Sequence, residues 1–390
     1  MTTTMSELKR KSASRSDREP ASQRVDFNLS SKSSLPGPPG DIECGIVRPA
    51  KTVMGDFLVD AEALLAARLE RVSLDDIARP AQPTPIHNTE PITMDDAIII
   101  GGSFAGLAAA LQLGRARRKV TVLDTGLPRN RFAGHSHGLL GHDHKPPLDI
   151  LAEARQQLAR YPTIKLVSAR AESVSGAIDD FNVLTSDGGR FGARRLILSY
   201  GVADQMPDVP GFAEGWGTSI VPCPYCDGFE VAGQHWGLVW SGPQSHNQVR
   251  LFHDWTDRLT LFVDGHDVPA DIRADLARRK IPVVDGRIVE IAHDDGHITT
   301  VNLDTRRSIA VDVLFAHPRN EPSASLHESL GLTTVNTPVG IALKVDERRE
   351  TSMPGIYAAG DLATPFLPSV TLASSQGAMA GIFAQQSMLV

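Results

Sequence analysis

The sequence predicts an α/β fold with two Rossmann-like, three-layer nucleotide-binding domains, and two observations lead to this prediction. The first is a buried-strand run at residues 97–100, which leads into the turn Gly101-Gly102-Ser103-Phe104-Ala105-Gly106 and a helical stretch. A second strand at residues 120–123 ends in Asp124, about twenty residues beyond the glycines, as a dinucleotide fingerprint requires. The second observation is that the same rhythm of strand, turn and helix returns at residues 236–263.

Composition narrows the class of protein. The 390 residues allow two domains and an appendage, and 41% hydrophobic with 22% charged residues is typical of a soluble globular chain. A net charge of −7 argues against nucleic acid as the main partner. No apolar run approaches the roughly 18 residues that span a bilayer, and the N-terminus has no apolar signal region. We therefore expect no membrane partner.

Residues 1–93 differ from the rest and are predicted to be a largely disordered N-terminal extension. Residues 1–40 are rich in Ser, Arg, Lys and Pro, residues 56–77 could form one amphipathic helix, and a proline-rich linker follows. A transit peptide is a weaker option because acidic residues are interspersed. The segment could also add nothing to function, since the first strand begins after it.

The glycine turn is expected to bind phosphate. Gly101 allows the tight turn, the following helix N-terminus faces a pyrophosphate, and Asp124 can bind a ribose diol. Ser103 stands where the second fingerprint glycine belongs, which places a small side chain near the phosphates.

A loop at residues 129–144 contains four histidines and an aspartate within its last ten residues. Imidazole and carboxylate suit zinc or iron, so a metal site is one interpretation. The glycines of this loop make it flexible, and the other motifs require a flavin. We therefore favour a loop that lines a cofactor, and predict no metal.

Further elements follow from apolar periodicity and turn residues. The predicted helices cover residues 148–158 and 249–255, with a small-residue helix around 373–380; the predicted strands cover residues 164–174, 181–185, 194–198, 236–240, 259–263 and 354–359.

The motif Cys223-Pro224-Tyr225-Cys226-Asp227-Gly228 indicates redox chemistry. Its spacing suits a helical turn that brings both sulfurs onto one face, and a helix N-terminus favours the thiolate. A thiolate displaces sulfur from a disulfide, and Asp227 can supply the proton that the leaving thiolate needs. The alternative is half of a structural zinc site, but the chain has three cysteines and no second C-x-x-C. Such cysteine usage favours a cytoplasmic, redox-active protein, with Cys44 incidental.

The second nucleotide unit lacks the residues that NADPH requires. Trp240 occupies the position of the tight-turn glycine, and only Gly242 remains of the three glycines. Asp264 ends the second strand, where it would repel a 2′-phosphate. NADPH binding is therefore doubtful.

A strand near the C-terminus closes on Gly360-Asp361, ahead of the small-residue helix. An acid at this place can hold a hydroxyl of a ribityl chain, and the helix N-terminus can stabilise negative charge on a reduced flavin.

Taken in order, these motifs resemble the low-molecular-weight thioredoxin reductase family, a branch of the pyridine nucleotide–disulfide oxidoreductases, over residues 95–390. The resemblance implies an FAD domain split into residues 94–212 and 317–390, with the dithiol-bearing NAD(P)-like domain, residues 213–316, inserted between them. It also implies a homodimer.

The resemblance assigns roles to the motif residues. Cys223 would attack the substrate disulfide, Cys226 would lie against the flavin, and Asp227 would donate the proton. The predicted FAD contacts are Gly101, Gly102, Ser103, Gly106, Asp124, Arg129, His137, Gly360 and Asp361.

Departures from the family leave the direction of electron flow open. Pro368-Ser369-Val370 replaces an Arg-Gln-Ala run, and the histidine loop is more similar to a branch that includes small-molecule dithiol oxidases. The chain is thus either a thioredoxin reductase-like enzyme acting on a disulfide or a dithiol oxidase that uses oxygen. NADH or ferredoxin could replace NADPH as donor, and a non-enzymatic flavin sensor is a third possibility.

Overall fold

A computed structural model of the chain describes residues 94–389. The predictions for the N-terminal extension, including its helix and Cys44, lie outside these residues. The helices are α1 (Phe104–Arg115), α2 (Pro147–Leu158), α3 (Phe212–Gly215), α4 (Pro224–Asp227), α5 (Ser245–Phe252), α6 (Ala270–Arg278), α7 (Leu326–Ser329) and α8 (Val370–Gln386), with short 3-10 turns at Arg129–Phe132 and Gly360–Leu362.

The first sheet is built around an apolar central strand whose residues 97–100 are almost fully buried. Its strands are β1 (Met94–Ile100), β2 (Val120–Asp124), β3 (Ile164–Ser168), β4 (Ala171–Ala177), β5 (Asp180–Thr185), β6 (Arg190–Leu198) and β19 (Ile356–Ala358). The order is β3-β2-β1-β6-β5-β4, and β19 pairs in parallel with β6. The C-terminal part of the chain thus completes the sheet that the first strand begins.

The single strand predicted over residues 164–174 is wrong. The chain forms β3 and β4 there, and these strands lie at opposite edges of the first sheet. Residues 169 and 170 connect the strand at one edge of the sheet to the strand at the other edge, so a single continuous strand cannot include them. The predicted helix at residues 249–255 is also displaced, because α5 begins directly after the Gly242-Pro243 turn.

The second sheet is entirely parallel, in the order β11-β10-β9-β15-β8. Its strands are β8 (Ile220–Val221), β9 (Trp236–Val239), β10 (Leu259–Phe262), β11 (Val283–Val284) and β15 (Val313–Phe315). A three-stranded antiparallel sheet accompanies it, formed by β12 (Ile288–Asp294), β13 (His297–Leu303) and β14 (Ser308–Ala310). One mixed sheet with a parallel centre and one fully parallel sheet, alternating with helices along the chain, confirm the predicted α/β class. The exact domain boundaries stay a prediction.

A four-stranded sheet brings together the two segments that flank the second unit. It has the order β17-β18-β16-β7, and β7 and β16 run antiparallel. The strands are β7 (Val202–Gln205), β16 (Arg319–Pro322), β17 (Thr334–Thr337) and β18 (Gly340–Leu343). Within residues 94–389, no helix has the length and apolar character needed to cross a membrane.

Helix α8 packs closely against α1 because the α8 residues at this contact include two glycines, Gly377 and Gly381. A Cβ atom on Gly377 would lie 1.9 Å from the Ala105 carbonyl oxygen, and one on Gly381 would lie 2.6 Å from that of Ala109. This contact explains the small residues of α8. It also sets the Gly360 turn beside the glycine turn that precedes α1.

Candidate active site

The glycine turn after β1 leaves no room for side chains. Gly101 has φ +105°, and a Cβ atom there would lie 2.3 Å from the Ser199 carbonyl oxygen. A Cβ atom on Gly106 would overlap the Gly101 carbonyl oxygen at 1.8 Å. The Ser103 side chain makes no capping hydrogen bond to α1. Ser103 therefore leaves the backbone amides at the start of α1 uncapped, as a phosphate-binding turn requires.

Asp124 links the end of β2 to the glycine turn. Its carboxylate accepts a hydrogen bond from the Gly102 amide at 3.0 Å and another from the Arg155 guanidinium at 2.9 Å. These residues line a cavity of about 290 Å³ whose other walls are largely apolar. Arg155 was not predicted from the sequence, because one basic residue on an amphipathic helix carries no signal of its partner.

Arg129 lies at the centre of a charged cluster. Its guanidinium donates hydrogen bonds to Asp361 at 2.8 Å, to Asp204 at 2.9 Å and to Asn320 at 3.0 Å. Burial by itself lowers the pKa of Arg129, but the hydrogen bonds and charges of the two aspartates outweigh burial and raise it. Burial raises the pKa of Asp361, and Arg129 opposes that rise. Arg129 thus holds Asp361 beside the Gly360 turn.

Asp204 and Asn320 were not predicted from the sequence. They are direct partners in the β7–β16 ladder, so their side chains lie next to each other on one face. Gly360 has φ +74°, and a Cβ atom there would lie 3.1 Å from the Ala105 Cβ atom. Its amide donates a hydrogen bond to the Gln376 side chain at 3.1 Å. The predicted residues Gly360 and Asp361 therefore stand close to the start of α1.

The C-x-x-C motif forms the predicted helical turn. Cys223 occupies the position before α4, and its carbonyl oxygen accepts hydrogen bonds from the Cys226 and Asp227 amides at 3.2 Å. A hydrogen bond from the Cys226 thiol and the nearby backbone amides lower the pKa of the Cys223 thiol, against the effect of burial. The same hydrogen bond and burial raise the pKa of Cys226. The two thiols are therefore chemically different.

The Asp227 carboxyl group has a raised pKa. Burial raises its pKa to about 6, the Glu230 charge acts in the same direction, and His137 opposes it. A carboxyl group of this kind exchanges its proton near neutral pH. It directly follows Cys226 in α4.

The histidine loop lies against the dithiol turn. His137, His144, Tyr225, Cys226 and Glu230 line one cavity of about 300 Å³. The His137 Nε2 atom lies 3.5 Å from the Glu230 Oε1 atom. His137 was predicted to contact the cofactor; the structure places it at the dithiol, and no signal in the sequence paired it with Glu230.

The second nucleotide unit is closed at its turn. Trp240 is buried, the Ser241 backbone amide donates to the Ser245 hydroxyl at 2.9 Å, and the Gln244 side-chain amide donates to the Ser241 carbonyl oxygen at 3.0 Å. The Asp264 carboxylate accepts a hydrogen bond from the Ile288 amide at 2.8 Å. The Arg287 side chain packs over Gly265, a cation that was not predicted there from the sequence. The Ser241 amide, which could have met a pyrophosphate, is thus already satisfied within the chain.

The glycine turn, the Asp124 cavity and the Arg129–Asp361 pair form a set of contacts that fits FAD. The cavity beside Gly102 and Asp124 suits an adenosine, and the Asp361 carboxylate suits a ribityl hydroxyl. Together with the dithiol turn, the fold and site define a flavin-dependent oxidoreductase that acts on sulfur groups.

The chain belongs to the pyridine nucleotide-disulphide oxidoreductase family, which matches residues 95–377. It is 31% identical to the thioredoxin reductase tcpT of Claviceps purpurea over 75% of this chain and 94% of that one. It is 32% identical to the thioredoxin reductase sirT of Leptosphaeria maculans over 73% of this chain and 92% of that one. An oxidoreductase structure from Agrobacterium tumefaciens superposes with a TM-score of 0.72 at 42% identity, covering 76% of this chain and 99% of that one.

These similarities confirm the predicted thioredoxin reductase-like branch, the flavin-dependent activity on sulfur groups and FAD as the cofactor. They do not test the individual site residues or the domain boundaries. Those assignments therefore stay predictions, as do the homodimer and the cytoplasmic location.

Proposed function

We propose that the chain exchanges electrons between FAD and a dithiol or disulfide substrate through the Cys223–Cys226 pair. The observation that carries this proposal is the helical turn at α4, where the Cys223 carbonyl oxygen accepts hydrogen bonds from the Cys226 and Asp227 amides and the two thiols share a hydrogen bond. This contact lowers the pKa of Cys223 and raises that of Cys226, which gives one attacking thiolate and one thiol that holds its proton. Bound FAD would supply or accept the electron pair that interconverts the dithiol and its disulfide.

In the direction of disulfide reduction, the Cys223 thiolate attacks one sulfur of the substrate disulfide. The substrate S–S bond breaks, a mixed disulfide with Cys223 forms, and the leaving thiolate takes a proton from Asp227. Cys226, once deprotonated, then attacks the Cys223 sulfur, which releases the second substrate thiol and leaves a Cys223–Cys226 disulfide. Two electrons pass to the substrate, and both its sulfurs end as thiols. A thioredoxin-like protein or a small disulfide would serve as the substrate.

The reverse direction, oxidation of a small dithiol with oxygen as the final acceptor, is the second candidate. The observation that favours it is the closed turn at Trp240, where the Ser245 hydroxyl already accepts the Ser241 amide that a pyrophosphate would need. Any side chain at that position also restricts the approach of a pyrophosphate. The cavity of about 300 Å³ at Cys226 has the size of a small-molecule site.

Anaerobic stopped-flow mixing tests both candidates. The FAD-loaded protein is mixed separately with NADPH, NADH and dithiothreitol, and the visible flavin absorbance is followed. Rapid bleaching by the dithiol with little bleaching by NADPH supports dithiol oxidation; rapid, saturable bleaching by NADPH supports disulfide reduction. Bleaching by neither dithiol nor dinucleotide contradicts the proposal in both forms.

Cys226→Ser is the matched control for the role of the dithiol. This variant should lose dithiol-driven bleaching and retain any bleaching by NADPH, because the second nucleotide unit does not depend on the cysteine. Unchanged dithiol-driven bleaching in Cys226→Ser would show that the pair is not on the electron path.

A further inference from the structure

The cavity at the dithiol contains a group of side chains that the proposed electron transfer does not require. His137, His144 and Glu230 each direct one donor atom into the same small region, and these atoms lie within 4.8 Å of one another. His137 and His144 belong to the loop before α2, and Glu230 follows the dithiol turn. Two distant segments of the chain therefore supply the three groups.

The distances between these donor atoms do not suit hydrogen bonds. The Glu230 Oε1 atom lies 3.5 Å from His137 Nε2 and 3.9 Å from His144 Nε2. Nitrogen-to-oxygen hydrogen bonds are about 2.7–3.2 Å long. Two ligands at about 2.1 Å from one tetrahedral zinc ion stand about 3.4 Å apart. The two distances from Glu230 thus approach the spacing of ligands around one ion, and the two histidine nitrogens lie within 4.8 Å of each other.

A supporting residue lies on the far side of one imidazole. The His137 Nδ1 atom is 3.7 Å from the Asp143 Oδ1 atom, and Asp143 is fixed by a 2.8 Å hydrogen bond from the Gly138 amide. A carboxylate behind the second ring nitrogen is the usual partner of a metal-bound histidine. At 3.7 Å the Asp143 carboxylate stands beside this nitrogen but is not hydrogen-bonded to it.

The loop that carries both histidines is held in place at its base and its side. The Ser136 amide donates to the Lys145 carbonyl oxygen at 2.8 Å, and the Thr371 hydroxyl donates to the Gly138 carbonyl oxygen at 2.8 Å. His144 adopts the left-handed backbone conformation, with φ +64°, which is uncommon for residues other than glycine. The His137 and His144 rings meet edge to face at 4.7 Å.

We propose that His137, His144 and Glu230 bind a divalent transition metal ion, with Zn²⁺ as the best match, at the mouth of the dithiol cavity. Two imidazole nitrogens and one carboxylate favour zinc over magnesium or calcium, which take oxygen ligands. Three protein ligands leave one position open toward the cavity that Cys226 also lines. The ion ties the histidine loop to the segment after α4.

Occupation of the site restricts access to the thiols. A bound ion occupies the cavity that Cys226 lines and fixes both of its walls, which hinders the attack of Cys226 on a mixed disulfide at Cys223. Zinc would therefore inhibit thiol–disulfide exchange reversibly. This consequence rests on the proposed function, whereas the binding site itself does not.

Equilibrium dialysis of the oxidised, FAD-loaded full chain against Zn²⁺ tests the site. Oxidised protein is used because a reduced C-x-x-C pair binds zinc by itself. We expect one zinc ion per chain, with no displacement by a large excess of Mg²⁺. The variants His144→Ala and Glu230→Gln should bind zinc about tenfold more weakly or worse, since loss of even an outer-shell partner costs about 10–100-fold.

His142→Ala is the matched control from the same loop. Its ring faces Glu153, with Nδ1 3.9 Å from the carboxylate, and it does not belong to the three-residue group. Zinc binding by this variant should equal that of the wild type, and an unchanged flavin spectrum shows that each variant is folded. Absence of stoichiometric binding to the wild type, or wild-type affinity in His144→Ala, overturns the site. Loss of binding in Cys226→Ser alone would assign the zinc to the thiols and also overturn it.

A second measurement separates binding from inhibition. Zinc at saturating concentration should abolish dithiol-driven flavin bleaching in the wild type but not in His144→Ala, and this comparison corrects for zinc bound by the dithiol itself. Removal of zinc with a chelator should restore the rate. A wild type that binds zinc at the three residues and shows an unchanged rate overturns the inhibitory role.

Discussion

The Arg129 guanidinium donates a 2.8 Å hydrogen bond to Asp361, a residue 232 positions later in the chain. This pair ties the loop after β2 to the turn that precedes α8. Asp204 shares the same guanidinium, so one cation compensates two carboxylates. The cofactor contact predicted for Asp361 therefore depends on an arginine that belongs to another segment.

Arg129→Ala should destabilise the protein by about 2–4 kcal/mol, because it leaves two largely buried carboxylates without their cation. Chemical denaturation of the FAD-loaded protein measures this change. Arg131→Ala is the matched control, since Arg131 is exposed and its guanidinium donates only to the Pro128 carbonyl oxygen among its hydrogen bonds. That variant also loses a cation–π contact at 4.2 Å over the Phe132 ring, so it should change the free energy of unfolding by about 1 kcal/mol or less. Equal losses in both variants would contradict the role of the cluster.

Asp124→Ala should weaken FAD retention. The substitution removes the carboxylate that can accept a ribose hydroxyl, a charge-assisted hydrogen bond of about 1.5–3 kcal/mol, and leaves the Gly102 amide and the Arg155 guanidinium without this acceptor. We therefore expect the Kd for FAD to rise about tenfold or more, as measured by flavin fluorescence during dilution. Asp96→Ala is the control at the other end of β1, where the aspartate accepts a hydrogen bond from the Lys119 amide. Unchanged FAD affinity in Asp124→Ala would remove this residue from the cofactor site.

Cys226→Ala should make Cys223 less reactive at neutral pH. The hydrogen bond from the Cys226 thiol is the main cause of the lowered pKa of Cys223, so its loss raises that pKa. The rate of iodoacetamide modification at pH 7 should fall about tenfold, because a hydrogen bond to a charged group contributes about 1.5–3 kcal/mol to the stability of the thiolate. The measurement is a pH profile of alkylation in a Cys44→Ser background.

Cys226→Ser provides the comparison, because its hydroxyl retains a hydrogen-bond donor. Alkylation of Cys223 in this variant should stay closer to the wild-type rate than in Cys226→Ala. If alanine and serine have the same effect, the hydrogen bond is not what controls the Cys223 thiolate.

The rate of dithiol-driven flavin bleaching should rise as the pH increases through about 6, because burial raises the pKa of Asp227 to about 6. Substrate thiols must lose protons in this direction, and Asp227 can accept one only in its ionised form. Asp227→Asn should remove this pH dependence and slow the reaction by about 10²–10⁴-fold. Stopped-flow rates from pH 5 to 8, with a chelator present, test the prediction. A wild-type profile without a step near pH 6 would count against Asp227 as the proton carrier.

Stability should show the opposite trend for the same residue. A carboxyl group whose pKa is higher in the folded state than in the unfolded state destabilises the fold above both pKa values. That cost disappears as the pH falls below the unfolded value. Asp227→Asn should therefore be more stable than the wild type at pH 8, by about 1–3 kcal/mol, and nearly equal to it at pH 3.5. Denaturant titrations at the two pH values measure the difference.

The amino-acid sequence alone determined the features that depend only on residues close together in the chain. The apolar run at residues 97–100, the glycine turn with Gly101 at φ +105° and the helical turn at Cys223–Cys226 all follow from sterics and hydrogen bonds within a few residues. Each of these could be placed from the sequence, and with them the fold class. The order of the motifs also identified the family.

Tertiary structure alone decided which distant side chains meet. Asp204 and Asn320 share one guanidinium because β7 and β16 pair antiparallel, and Glu230 meets His137 because the dithiol turn packs against the histidine loop. The strand predicted over residues 164–174 divides because its two halves belong to opposite edges of one sheet. Apolar periodicity describes the environment of a residue but does not name its partner. Partners are selected by strand order and packing across the whole chain, so the charged clusters of the site became visible only in the folded structure.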